Sequence, residues 1–90
     1  MSPATDTGGV RAVVEILARA LTDRPDDVKV IESQHKGTTL VELYVAPGEL
    51  GRVIGRQGRT AAALRTLAAT AGEKEGKTVT LEIRDTPYKG

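Results

Sequence analysis

Residues 51–60 read Gly-Arg-Val-Ile-Gly-Arg-Gln-Gly-Arg-Thr, and no single helix or strand can run through them undisturbed. Gly55 and Gly58 bracket Arg56 and Gln57, and glycine opens backbone conformations that other residues avoid. The apolar pair Val53-Ile54 leads into this point, and an alanine-rich segment, Ala61–Ala71, leads out of it. The chain is therefore expected to form two helical pieces joined by a Gly-x-x-Gly turn. Flexibility, amide donors and arginine charge meet there, a combination that suits a phosphate backbone better than a catalytic group.

The elements on either side follow from periodicity. Apolar residues at 10, 13, 14, 17, 20 and 21 have the spacing of an amphipathic helix over Val10–Asp23, with Asp6 or Thr7 as its cap and Pro25 just past its end. Val28–His35 and Thr38–Ala46 are rich in β-branched residues and are separated by Lys36-Gly37, which predicts a hairpin. In the second run Val41, Leu43 and Val45 alternate with Leu40, Glu42 and Tyr44, so one set faces a core. Pro47-Gly48 ends that strand, and a short helix is expected over Gly48–Ile54. A further helix runs from Arg59 to Glu73, with Ala61, Leu64, Leu67, Ala68 and Ala71 inward and Gly72 and Gly76 marking its fraying end. Lys77–Arg84 is the last strand, with Val79, Leu81 and Ile83 inward. The order is α-β-β-α-α-β. A hairpin followed by a crossover long enough to be right-handed and parallel predicts an α+β fold: a three-stranded mixed sheet with three helices on one face.

Composition limits what such a fold can do. Ninety residues, 39% of them hydrophobic, make one domain with one two-layer core. There is no Phe or Trp, and Tyr44 and Tyr88 are the only aromatics, so Val, Ile, Leu and Ala must build that core. The lack of cysteine excludes disulfides, zinc–cysteine sites and cysteine nucleophiles. No apolar run approaches the roughly 18–20 residues of a membrane span. The first residues lack the basic start and apolar stretch of a signal peptide, so a cytoplasmic protein is expected. No Ser/His/Asp or paired-carboxylate arrangement appears; His35 reads as a surface residue near the hairpin tip and Asp26-Asp27 as a solvated cap. Neither catalysis nor a cofactor or metal is expected.

The net charge of +1 conceals a division. Between Leu50 and Gly72 lie Arg52, Arg56, Arg59 and Arg65 and no acid, whereas residues 1–49 sum to −3 and residues 73–90 to zero. A local field of this kind attracts polyanions without making the whole surface adhesive. Other phosphate motifs fail on spacing. A P-loop would need glycine where Arg56 stands, and a dinucleotide fingerprint would need glycine at Val53. In the remaining helix–turn–helix, Gly55 can end one helix with a positive φ, and Gly58 lets a ligand backbone come close to the peptide plane. The free N–H groups of the next helix face the same spot. Arg52, Arg56, Gln57, Arg59 and Arg65 add donors, and the bases of a clamped strand would lie toward an apolar groove near Val53, Ile54 and Leu64.

The run Val53-Ile54-Gly55-Arg56-Gln57-Gly58-Arg59 resembles the signature of KH domains, whose Gly-x-x-Gly loop clamps roughly four nucleotides. The element order is similar to the type II, prokaryotic arrangement. Val45-Ala46-Pro47, Gly51–Arg59 and Ala63-Leu64-Arg65 together resemble the small single-domain bacterial KH proteins of the KhpA family, over about residues 10–85. The resemblance implies a KH domain at 10–85; the small, polar residues 1–9 are expected to be a disordered tail and 86–90 a second tail. It implies a non-catalytic, single-stranded RNA-binding protein acting in post-transcriptional regulation or as an RNA chaperone. It also implies a homodimer, pairing with a larger KH-containing protein of the KhpB (Jag) type, and a link to cell shape and envelope growth. One departure stands out: a large aliphatic residue often follows the loop in this family, and Thr60 and Ala61 stand here, lowering the expected groove wall. A competing reading makes the loop and the alanine-rich helix a protein-interaction surface.

Overall fold

The computed structural model describes residues 9–85. Helix α1 is Val10–Leu21, strands β1 and β2 are Lys29–His35 and Thr38–Tyr44, helices α2 and α3 are Leu50–Ile54 and Arg59–Lys74, and strand β3 is Thr78–Arg84. Short 3-10 turns occupy Pro25–Asp27 and Arg56–Gly58. The α-β-β-α-α-β order and the mixed sheet agree with the sequence expectation. The expected caps Asp6 and Thr7, and both expected tails apart from Gly9, lie outside the described residues. Gly9 itself is the N-cap of α1 and makes no side-chain cap bond.

Strand β2 is central, antiparallel to β1 and parallel to β3. Lys36 and Gly37 both have positive φ, 52° and 82°, and link the paired residues His35 and Thr38. Two positive φ values give a turn whose twist matches that of the strands, so the hairpin register is fixed locally. The register then carries alternation across the sheet. Val30 sits opposite Leu43, Val41 beside Leu81, and Leu43 beside Ile83, all on the inner face. The helices cover that face. The core is Val10, Val14 and Ala18 of α1, Val28, Val30, Val41, Leu43 and Val45 of the sheet region, Val53, Leu64, Ala68 and Leu81. Thr39 is also buried there, and its hydroxyl donates to Gln34 Oε1 at 3.1 Å; among the described residues no buried side-chain polar atom lacks a partner. The opposite face mixes half-buried Ile31, Leu40 and Tyr44 with an Arg84–Glu42 pair of 3.1 Å.

Two expectations about α3 are corrected. Leu67 is 46% exposed, because the buried line runs through Ala61, Leu64, Ala68 and Gly72, and Leu67 lies about 100° round the helix from Ala68. Gly72 does not fray. It is buried within the helix, and a Cβ there would stand 2.4 Å from Val79 Cγ2 and 3.1 Å from the Lys77 carbonyl. The helix ends at Lys74 and is capped at Gly76, φ 70°, where Lys77 N–H donates to Gly72 O at 2.8 Å and Gly76 N–H to Glu73 O at 3.1 Å. These are the paired bonds of a Schellman cap, which needs a left-handed residue at Gly76.

Gly72 is thus a point of close approach between α3 and β3. Replacing Gly72 by Ala should lower stability by about 1–3 kcal/mol in urea unfolding, despite the better helix propensity of alanine. Gly51→Ala, at an exposed helical position with nothing within 4 Å of the added carbon, should raise it by up to about 1 kcal/mol.

Candidate nucleic-acid interface

The parallel pairing positions the loop. Val45 N–H extends the β2–β3 ladder with a 3.0 Å bond to Arg84 O, so the chain leaves the sheet from a fixed point. Gly48, φ 89°, turns it, and Glu49 N–H closes the turn on Ala46 O at 3.0 Å. Helix α2 then lasts five residues and stops at Gly55. Gly55 has φ 75° and ψ 174°, a region open essentially to glycine alone. Its N–H donates to Gly51 O at 2.9 Å, and Gly58 N–H donates to Gly55 O at 3.1 Å, so the turn is held from within. Gln57 and Gly58 are both left-handed, with φ 57° and 75°.

Gly55 has a second reason to be glycine. A Cβ there would lie 2.2 Å from Thr60 Oγ1 and 2.7 Å from Thr60 Cβ. Thr60 is therefore packed against Gly55, and Ala61 is buried in the core, so neither residue forms a groove wall. Gly58 has open space where its Cβ would be, and only its φ argues for glycine. It is the N-cap of α3, whose first turn contains no acidic residue and no side-chain cap. The Arg59 N–H donates to Arg56 O within the turn, and no acidic side chain offsets the positive dipole end of the helix.

The side chains expected to bind divide into three groups. Arg56, Gln57 and Arg59 stand exposed on the loop, and Arg59 Nη2 donates to Gln57 Oε1 at 3.0 Å, leaving the Gln57 amide donors outward. Arg65 is exposed, seven residues after Gly58, which puts it on the same side of α3 about two turns along. Arg56 and Arg65 have no ion-pair partner among the described residues. Val53 and Leu64 are core residues with essentially no exposed surface, which corrects their expected place in a groove; Ile54, half-buried, is the member of that set able to meet a ligand.

Arg52 differs from the other arginines. Its Nη2 lies 2.8 Å from Asp23 Oδ2, and its Nε lies 3.7 Å from Glu49 Oε1. Glu49 anchors α2 to the end of α1. It accepts from the Thr22 hydroxyl and, at 2.7 Å, from Asp23 N–H. Thr22 Oγ1 in turn accepts from Arg24 N–H at 3.0 Å. This clasp explains why α1 stops at Leu21 rather than Asp23: Thr22 turns extended, φ −94° and ψ 154°, to offer its hydroxyl. Asp23, Glu49, Thr22 and Thr60 were not among the sequence-derived candidates, and nothing in their local pattern signals these roles. Among the described residues no group of three or more His, Cys, Asp or Glu could hold a metal ion, and no helix is long and apolar enough to cross a membrane.

A three-stranded mixed sheet backed by helices, with a helix–Gly-x-x-Gly–helix turn at the start of an uncapped helix, defines a KH domain. A family model described as KhpA/KhpB, KH domain, matches residues 11–83. The chain is 49% identical over 74 residues to the RNA-binding protein KhpA of Aquifex aeolicus, covering 82% of this chain and 94% of that one. It is 45% identical to the RNA-binding protein KhpA of Clostridium perfringens, covering 82% and 99%. The protein of that name from Mycobacterium bovis is 49% identical, with 81% and 88% covered. No solved structure gives a significant match. The chain belongs to the KhpA/KhpB family of KH domains.

The clasp makes the mounting of α2 dependent on pH. The Thr22 hydroxyl first, then the Asp23 amide and the charges of Arg52 and Arg24, hold the Glu49 carboxyl below its ordinary value of 4.5. A depressed carboxyl stabilises the fold above its unfolded value and loses that contribution as pH falls through the folded value. Glu49→Gln should therefore lower the urea midpoint at neutral pH, and the gap from wild type should narrow as the pH falls below 4.5.

Proposed function

We propose that this protein is a non-catalytic, single-stranded RNA-binding protein that holds the sugar-phosphate backbone at Gly55–Gly58. One observation carries the reading. The loop is built from left-handed and glycine-only backbone, it opens an acid-free helix start, and Arg56, Arg59 and Arg65 surround it without carboxylate partners among the described residues. Amides and arginines in that arrangement match phosphate oxygens. The relatives' names give RNA as the polyanion. The composition leaves little for base stacking: there is no Phe or Trp, and Tyr44 lies on the far face of the sheet. Recognition through the backbone, with Ile54 as an apolar contact for a base, is the mode these residues support.

The same reading takes residues 10–85 as the binding unit and a cytoplasmic role in post-transcriptional regulation or RNA chaperoning. It includes self-association and pairing with a larger KH-containing protein of the KhpB type. An interaction surface is favoured by one feature. Leu67 stands exposed on α3 beside exposed Ala63, a small apolar area on the helix that leads from the loop.

Gly58 gives the cleanest test, because a side chain there meets nothing within 4 Å and asparagine tolerates a left-handed φ. Gly58→Asn should keep binding to a labelled single-stranded RNA within a few-fold. Gly58→Asp, of similar shape but negative, should weaken it by at least about tenfold, or 1.4 kcal/mol. With about three phosphates neutralised, the log–log salt slope of the wild type should be near −2. A folded Gly58→Asp variant with unchanged affinity would show that the loop is not the clamp. Mass measured in parallel reads whether association and RNA binding share this surface.

A further inference from the structure

We propose that Asp23 is an intramolecular competitor for RNA phosphate: its carboxylate occupies Arg52 in the free protein and thereby sets the strength and salt dependence of binding. The inference rests on the RNA-binding reading above and adds a residue outside the loop and its flanking helices. Arg52 lies three residues before Gly55, so its Cα stands within one helical turn of the clamp. Its guanidinium is not free. Nη2 meets Asp23 Oδ2 in an ion pair at 2.8 Å, whereas Nε approaches Glu49 Oε1 only to 3.7 Å. A carboxylate and a phosphate ask the same of a guanidinium, two acceptor oxygens for parallel donors, so one can replace the other.

The two acids that face Arg52 have different duties. Glu49 is committed to the fold, since it accepts from the Thr22 hydroxyl and the Asp23 amide. The Asp23 side chain has Arg52 as its partner and makes no other hydrogen bond or ion pair among the described residues. The pair is also open to water, with Arg52 54% and Asp23 67% exposed. Exposed pairs are weak, so an arriving phosphate can displace Asp23. A buried pair at this position could not yield, and an unpaired Arg52 would bind at full strength from the outset. The fold thus brings an acid from the α1–β1 connection onto one of the four arginines in the acid-free stretch 50–72, and leaves the other three uncompensated.

The test compares wild type, Asp23→Asn, Arg52→Gln and the double variant. Affinity for a short labelled single-stranded RNA of mixed sequence is measured across a salt series, with urea midpoints alongside. Asp23→Asn should tighten binding about three- to fivefold at low salt and leave the midpoint nearly unchanged, as expected for an exposed pair. The advantage over wild type should shrink as salt rises, because salt screens the exposed Arg52–Asp23 pair that holds the wild type back. The double variant should bind as Arg52→Gln alone does. Wild-type affinity in Asp23→Asn would overturn the proposal. So would tightening that persists in the Arg52→Gln background, because the effect would then be general loss of negative charge. If wild type binds and Gly58→Asp does not, while Asp23→Asn changes nothing, only the competitor role falls. If wild type shows no RNA binding, the reading beneath it falls as well.

Discussion

The parallel pairing of β2 with β3 is the constraint on which the rest of the molecule turns. A chain leaving β2 at Tyr44 must travel back the length of a strand to enter β3 at Thr78, beside Thr38. A seven-residue strand spans roughly 23 Å, and the 16 residues of α3 span roughly 24 Å, so α3 alone makes the return. The work left for α2 and the turn is to lift the chain off the sheet and aim it backward. That is why a five-residue helix, two glycines and a helix start are compressed into one place. The Gly55–Gly58 turn is a by-product of the reversal the topology demands.

Small side chains make this compact geometry possible. Without Phe or Trp, the core holds Val, Leu and Ala, and packing must come from close approach rather than bulk. The helix meets the last strand at Gly72, where Val79 takes the room a Cβ would need. The same economy appears at the loop, where Thr60 takes the room beside Gly55. Glycine therefore serves two purposes along this chain. At Gly58 and Gly76 it supplies a left-handed backbone, at Gly72 it supplies space, and at Gly55 it supplies both.

Charge is arranged with the same dependence on distant neighbours. Along the sequence, residues 50–72 look uniformly basic. In space, Asp23 and Glu49 reach Arg52 from outside that stretch, and the positive field is concentrated on Arg56, Arg59 and Arg65. The Glu49 clasp also fixes the angle at which α2 leaves the sheet, by tying its first turn to the end of α1. Electrostatics and the mounting of the loop are therefore handled by one small cluster of polar residues.

The sequence by itself determined the kind and order of the elements and the location of the loop. Alternation in Thr38–Ala46, the Lys36-Gly37 turn and the glycine pair at 55 and 58 are local signals, set by backbone sterics and by the period of burial. Only the tertiary structure decided which apolar residues near the loop are core and which are open. Val53 and Leu64 went inward and Leu67 outward, although their hydropathies are alike, because burial depends on which side of a helix the sheet occupies. Only the tertiary structure separated Arg52 from its neighbours and gave Gly72 and Thr60 their roles. Arg52 meets Asp23 across the fold, and Gly55 meets Thr60 and Gly72 meets Val79 only once the chain has turned back on itself; periodicity carries no record of either kind of contact.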